Sequence, residues 1–145
     1  MDAYGAARMK KISISSLEDQ ANDINITTVN VEGFLDSSTF PELQEYLEEL
    51  IRNQTFRIIV NLEKLDYISS AGIGVLMGML QEVRGNNGDL KLIGMPPKIR
   101  NLFDLLGFSQ IIRIYDHSTA AKEAFREESS HSKSAQTGTP AEEDY

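Results

Sequence analysis

The sequence predicts an α/β domain in which about four helices pack on a mixed sheet of four to five strands. Strand-like apolar runs alternate with amphipathic helix-like runs, and the central strand runs are almost entirely apolar. A continuous apolar strand is typical of the middle of a sheet that is covered on both faces. The length of 145 residues fits one domain. Repeated strand–helix–strand units imply right-handed parallel crossovers between strands.

The strand patterns differ in strength along the chain. Residues 10–17 alternate weakly and could form an edge strand. The next strand is clearer, because Ile24 and Ile26 face one way while Val29 and Val31 face the other. The remaining strands are predicted over Phe56–Leu62, Leu90–Met95 and Ile111–Tyr115.

Each predicted helix has a recognisable beginning or end. Thr39 followed by Glu42 is typical of a capping box, and Pro41 fits the first turn, where its missing N–H costs no hydrogen bond. The helix that follows has one apolar face, which includes Leu43 and Leu47, and a charged back of glutamates. Three further helices are predicted after the serine pair to about Arg84, from Pro96–Pro97 to Gly107, and over Ser118–Phe125.

Composition divides the chain into a leader, a folded body and a tail. Residues 1–9 show no periodicity, and we expect a flexible leader there. From Arg126 onward the large aliphatic residues vanish, so residues 126–145 are predicted to form an acidic, disordered tail. The domain itself is predicted over residues 10–125.

Charge and residue usage disfavour several classes of function. The formal net charge of −8 makes nucleic acid and anionic membrane surfaces poor partners. The absence of cysteine removes disulfides, thiol catalysis and cysteine-ligated zinc. The longest uncharged run, Tyr67–Leu80, has 14 residues and is too short to span a bilayer. We therefore expect a cytoplasmic protein that needs no cofactor and contacts neither nucleic acid nor membrane directly.

Two adjacent serines, Ser69 and Ser70, separate a strand-like run from a helix-like run. A helix N-terminus offers unpaired N–H groups and about half a unit of positive charge, so it tolerates a phosphate group. Phosphorylation adds roughly −1.5 to −2 charges, which would weaken docking on that surface while the fold survives. Gly72, Gly74 and Gly78 each cost the helix about 1 kcal/mol relative to alanine. They indicate either tight packing or a bare surface open to a partner, whereas the serines could simply be an N-cap.

The residues around this loop resemble the signature of the bacterial anti-sigma-factor antagonists, the STAS-domain family. The stretch Tyr-Ile-Ser-Ser-Ala-Gly-Ile-Gly, residues 67–74, is similar to the family pattern Asp-Ser-Ser/Thr-Gly-Leu-Gly, whose first serine is phosphorylated. Segments 32–36, 60–65 and 102–108 match further family segments in the same order. The resemblance covers roughly residues 10–125 and implies a STAS-type fold.

Aligning the glycines places the phosphorylated serine of the family on Ser70. Ser69 stands where the family has an aspartate and stays a rival site, while Ala71 stands where the family has a second hydroxyl. Asp36 matches an acidic residue near the family's site, with an ordinary turn role as the alternative. The resemblance implies a partner-binding surface made of Asp36, Ser69, Ala71, Gly72 and Gly74.

The resemblance also implies a mechanism of regulation. The unphosphorylated protein would bind a serine-kinase anti-sigma factor and so release a sigma factor. Phosphorylation of Ser70 would end that binding, and a PP2C-type phosphatase would restore it. The protein would then be a substrate and a ligand, and not an enzyme. The alternatives are a STAS scaffold or small-ligand-binding module without phosphorylation, and a small hydrolase using Ser70 and His117, which lacks the expected elbow motif.

Overall fold

The computed structural model of the protein describes residues 11–21 and 23–142, the last twelve by their backbone alone. The predicted leader, residues 1–9, lies outside the described residues. A short 3₁₀ turn, Phe108–Gln110, accompanies six strands and four helices in the described part. These are β1 (Ile12–Ala21), β2 (Ile24–Leu35), α1 (Phe40–Arg52), β3 (Arg57–Asn61), β4 (Leu65–Ile68), α2 (Ser70–Arg84), β5 (Asp89–Ile93), α3 (Pro97–Leu105), β6 (Arg113–Tyr115) and α4 (Ser118–Glu142).

The sheet is mixed, as the sequence predicted. Its strand order is β1-β2-β3-β5-β6, and β4 also pairs with β2. Strands β1 and β2 are antiparallel neighbours. The other strand pairs are all parallel, because a helix returns the chain between parallel neighbours. Strand β2 is long enough to pair with β3 through residues 27–30 and with β4 through residues 33–35.

Strand β4 is the element that the sequence prediction missed. It has four residues, with Leu65 and Ile68 buried at its two ends, and so few residues carry no periodic signal. The β2–β4 pairing shifts register between Gly33 and Phe34, because their partners Leu65 and Tyr67 are two residues apart on β4. Strand β2 itself runs through Gly33 and ends at Leu35. The glycine there has φ +100°, a backbone conformation that favours glycine.

Helices α1, α2 and α3 cover one face of the sheet and form the main hydrophobic core. Val29 and Val31 point into this core, whereas Ile24 and Ile26 point to the opposite face. The alternation predicted for β2 is thus confirmed. The apolar face predicted for α1 is also confirmed, since Leu43 on that face is fully buried.

The second face of the sheet is covered by α4 and contains a completely buried lysine. The Lys91 Nζ atom lies 2.7 Å from Asp89 Oδ2 and 2.7 Å from Glu128 Oε2. It also lies 4.6 Å from the centroid of the Phe125 ring. A buried ammonium group is tolerated only when such partners compensate for its lost hydration. The sequence predicted an apolar strand here, and this strand buries a charged side chain as well.

Helix α4 continues past its predicted end. The sequence placed that end at Phe125, whereas the backbone stays helical to Glu142. Glu128, inside the segment predicted as a tail, contacts Lys91 of the sheet. The predicted helix Ser118–Phe125 is therefore too short. The position at which the domain gives way to a tail stays a prediction.

Candidate functional site

The candidate site forms where two neighbouring strands end. Leu35 at the end of β2 pairs with Ile68 at the end of β4. The Ser69 N–H donates a hydrogen bond of 2.9 Å to the Leu35 carbonyl and joins the two strand ends. Asp36 and Ser69 therefore leave the sheet side by side, and α2 begins immediately afterwards at Ser70.

Ser69 occupies the N-cap position of α2 but does not cap the helix. Its backbone is extended, with φ −105° and ψ 175°, as N-cap residues require. Its side chain makes no capping hydrogen bond. The Ser69 Oγ atom is buried and finds no hydrogen-bond partner among the described residues. Ser69 therefore has the position of an N-cap, but the interpretation that its hydroxyl caps the helix is wrong.

Ser70 is the first residue of α2, and its side chain is exposed. It begins a helix of 15 residues, so the unpaired N–H groups and the positive end of the helix dipole lie at this residue. The first turn of α2 contains no acidic residue. The positive end of the helix is therefore not already neutralised by a carboxylate within that turn.

Asp36 organises the turn that leads from β2 into α1. Its Oδ1 atom accepts hydrogen bonds from the Ser38 hydroxyl at 2.8 Å, from the Ser38 N–H at 2.9 Å and from the Thr39 N–H at 3.1 Å. The Ser38 hydroxyl bond is the main reason that the pKa of Asp36 lies below its usual value. The ionised carboxylate therefore stabilises this turn above the ordinary aspartate pKa. That contribution is lost as the pH falls through the lowered value.

The capping box predicted for Thr39 and Glu42 does not form. The Thr39 hydroxyl donates to the Phe34 carbonyl at 2.7 Å and caps no N–H of α1. Asp36 accepts instead from the N–H groups of Ser38 and Thr39, which lie in the turn before α1. The alternative role considered for Asp36, a turn residue, is confirmed, while its role in partner binding stays a prediction.

The glycines of α2 lie in two different environments. A Cβ atom on Gly72 would come within 2.6 Å of Leu35 Cγ and 2.9 Å of the Leu35 carbonyl oxygen. Gly74 and Gly78 have no atom within 4 Å of such a Cβ. Tight packing therefore explains Gly72, which is buried, and a bare surface explains Gly74 and Gly78. Of the glycines predicted to bind a partner, only Gly74 is open to one, and Ala71 is half-buried.

Two exposed aromatic residues beside the serines were missed by the sequence prediction. Phe34 is 44% exposed and Tyr67 is 50% exposed, and their ring centroids lie 6.3 Å apart. They are partners in the β2–β4 register, one position before the buried pair Leu35 and Ile68. The alternation of β2 could have predicted the exposure of Phe34, because the neighbour of a buried residue faces the other way. Tyr67 lies on β4, which is too short to show alternation. Exposed aromatic pairs are common in interaction surfaces.

The histidine considered for a hydrolase lies away from the serines. His117 follows β6 at one edge of the sheet, and both β5 and β3 lie between β6 and β2, whose end adjoins the serine pair. Three strand spacings are about 14 Å, well beyond hydrogen-bond reach. Within the described residues, no cluster of three or more acidic or histidine side chains could hold a metal ion. In that same part of the chain, no helix is long and apolar enough to cross a membrane.

These observations define a small α/β domain whose distinctive site is an exposed hydroxyl at a helix N-terminus beside an exposed apolar surface. The protein belongs to the STAS-domain family, because the family model of the STAS domain matches residues 19–121. This confirms the family and the fold that the motifs around Ser70 indicated.

Individual relatives agree with this assignment. The anti-sigma-B factor antagonist of Staphylococcus aureus (strain NCTC 8325) is 35% identical over 86 residues, which are 59% of this chain and 80% of the relative. An anti-sigma factor antagonist structure from Mycobacterium paratuberculosis superposes with a TM-score of 0.67 at 20% identity, covering 79% of this chain and 95% of that one. The phosphorylated form of SpoIIAA from Bacillus has a TM-score of 0.57 at 19% identity, with 76% and 99% coverage. At these identities the two solved structures show the fold alone.

Proposed function

We propose that this protein is an anti-sigma-factor antagonist whose binding to an anti-sigma factor is switched off by phosphorylation of Ser70. The observation that carries the proposal is the contrast between the exposed side chain of Ser70 and the buried hydroxyl of Ser69. The name of the Staphylococcus aureus relative supports the role of antagonist. The existence of SpoIIAA in a phosphorylated form supports the switch.

Accessibility supports Ser70 over Ser69 as the residue that is modified. A kinase must bring a phosphate donor into line with the attacking hydroxyl oxygen, which requires that oxygen to be reachable. The Ser69 Oγ atom has almost no solvent exposure, so its modification would require the start of α2 to open. Ser70 requires no such opening, because its side chain faces solvent.

The surroundings of Ser70 explain why phosphorylation would affect binding more than folding. The added phosphate would lie next to the unpaired N–H groups at the start of α2, in a turn without acidic residues. These N–H groups would stabilise the negative charge of the phosphate within the folded domain. A partner that covers Ser70 together with Gly74 and the Phe34–Tyr67 pair would have to desolvate that charge. Binding would be weakened while the domain stays folded.

The partners follow from this mechanism. The anti-sigma factor would be a serine kinase that binds the unphosphorylated surface and then modifies it. A PP2C-type phosphatase would remove the phosphate and restore binding. The chain itself would serve as substrate and ligand in this cycle.

Mass spectrometry after incubation with the kinase and ATP tests the site. We expect one phosphate on the wild-type protein and on Ser69→Ala, and none on Ser70→Ala. Phosphate that persists on Ser70→Ala would show that Ser70 is not the only site. If neither serine accepts phosphate, the alternative of a STAS scaffold without phosphorylation is favoured instead.

A pair of nearly isosteric substitutions tests the effect of charge. We expect Ser70→Asp to weaken binding of the kinase by at least tenfold, about 1.4 kcal/mol, measured by titration calorimetry. Ser70→Asn has a similar size and no charge, and it should bind much more tightly than the aspartate variant. Equal loss in both variants would contradict the charge mechanism and indicate a steric one.

A further inference from the structure

Strand β1 presents an open edge of the sheet. Within the described residues it pairs with β2 alone, along all ten of its residues and in unbroken register. Natural proteins commonly protect such an edge with charged residues, proline, a bulge or a very short strand. The charged residues of β1, Glu18 and Asp19, lie in its second half, whereas the first half has neither charge nor proline and Leu17 is 70% exposed. The edge is therefore available for pairing with a further strand.

The hydrogen bonds near the start of β1 show which of its backbone groups face outward. The Phe34 N–H donates to the Lys11 carbonyl at 2.8 Å. The N–H of Gly33 points the other way and donates to the Lys64 carbonyl at 3.0 Å. Hydrogen-bonded and non-hydrogen-bonded pairs alternate along an antiparallel ladder. The β1 residue opposite Gly33 therefore directs its own N–H and C=O groups away from β2.

That residue is Ile12, and the pattern repeats at every second position. The outward N–H and C=O groups accordingly belong to Ile12, Ile14 and Ser16, while Ser13 and Ser15 bond to β2. A strand added at this edge would hydrogen-bond to Ile12, Ile14 and Ser16. Binding of such a strand should therefore protect every second backbone amide of β1.

A groove of about 440 Å³ runs beside this edge, between β1 and helix α1. Its floor contains Ile12 and Ile14, and Tyr46 of α1 lies on its wall. The Ser16 hydroxyl and the Tyr46 hydroxyl are 2.6 Å apart and link the strand to the helix. The rest of the wall consists of carboxylates from α1: Glu42, Glu45 and Glu49.

The charge of the wall indicates what could lie in the groove. Glu42 and Glu45 are exposed and make no ion pair within the described part of the chain, while Glu49 pairs with Arg52. From Glu42 to Glu49 the helix rises about 10 Å, and alternate residues of a strand are about 7 Å apart. Two alternate side chains of an added strand therefore fit beside this wall. Lysine and arginine suit it best, with apolar stems against the isoleucines and charged ends at the glutamates.

We propose that this groove binds an extended segment of a partner protein, which adds to the sheet as a strand beside β1 and carries lysine or arginine at alternate positions. Main-chain hydrogen bonds to β1 would supply affinity, and the carboxylates of α1 would supply specificity. A second copy of this chain fits less well, because pairing two β1 edges would bring two acidic walls together. The lining of the groove includes none of the residues of the surface proposed around Ser70, so the two proposals are tested by different variants and either can fail alone.

The test uses a synthetic ten-residue peptide of alternating lysine and valine, titrated into isotope-labelled full-length protein. We expect saturable shifts of backbone amide resonances and slowed hydrogen exchange at Ile12, Ile14 and Ser16, with much smaller effects at Ser13 and Ser15. A peptide of alternating glutamate and valine should not bind. Binding of both peptides alike, or shifts confined to another surface, would overturn the proposal.

Substitutions separate the contributions of charge and of the strand edge. The double variant Glu42→Lys/Glu45→Lys should weaken binding of the lysine peptide by about tenfold or more, whereas Glu127→Lys on α4 should not. Ser16→Pro removes one outward N–H and leaves the β2 ladder intact, so it should abolish slowed exchange at the edge. Ser16→Ala, its control, lacks the same hydroxyl but keeps the N–H and should still bind. Unchanged binding by Ser16→Pro would refute the added-strand geometry. Self-association that competes with the peptide in sedimentation experiments would refute the proposed occupant and assign the edge to a second copy of this chain.

Discussion

Ser69 and Gly72 face the interior of the protein, while Ser70 and Gly74 face solvent, although all four residues lie between positions 69 and 74. The interior pair contacts the end of β2: the Ser69 N–H bonds to the Leu35 carbonyl, and Gly72 packs against the same residue. The exterior pair makes the start of α2 accessible. In this segment one serine and one glycine therefore pack against the sheet, while the other serine and the other glycine form the exposed surface.

The difference teaches how a phosphorylatable site can be built without weakening the domain. The inward residues hold the start of the helix against the sheet, so the helix N-terminus is fixed in position. The outward residues can then gain a charge or meet a partner without disturbing the packing. Changes to the inward set should alter stability, and changes to the outward set should alter binding.

The largest expected effect comes from Gly72→Ala. The added methyl group would overlap Leu35, including its backbone oxygen at 2.9 Å, and the backbone of β2 cannot move away freely. We expect a loss of about 1–3 kcal/mol in the free energy of unfolding, as is usual for overpacking. Urea denaturation would measure it. An unchanged midpoint would mean that α2 is less tightly held against β2 than the distances indicate.

A smaller effect of opposite sign is expected for Gly74→Ala, the matched outward substitution. Its methyl group would meet open space, and the residue lies inside a helix. We expect a gain of about 0.5–1 kcal/mol in stability, because alanine favours the helix over glycine. Under the proposed function, the same variant should bind the kinase more weakly. A stability change equal to that of Gly72→Ala would remove the distinction between the two sets.

The smallest effect is expected for Ser69→Ala. Loss of an N-cap serine ordinarily costs about 1 kcal/mol, but this hydroxyl makes no cap bond and has no partner among the described residues. We expect stability to change by less than about 0.5 kcal/mol or to rise slightly, because a buried unpaired hydroxyl is itself unfavourable. Thermal and urea denaturation would check this. A full loss of about 1 kcal/mol would show that the hydroxyl caps α2 in solution.

Much of the fold could be predicted because its signals are local. The apolar face of α1, the alternation within β2 and the break before Ser70 each depend on residues near one another in the sequence. Strand β4 could not be predicted, because four residues form a strand only when the end of β2 lies beside them. Lys91 could not be placed either. Its burial depends on Glu128, which lies on a helix that is distant in sequence.

The candidate site divides in the same way. The sequence by itself determined that two serines precede a glycine-rich helix and that an acidic residue follows an earlier strand. Only the tertiary structure decided which serine is exposed and which glycine is covered. The cause is Leu35 at the end of β2, which contacts Ser69 and Gly72 and so covers them. It does not cover Ser70 or Gly74, which stay exposed. Local patterns specify elements, but the exposure of a single atom depends on the element packed beside it.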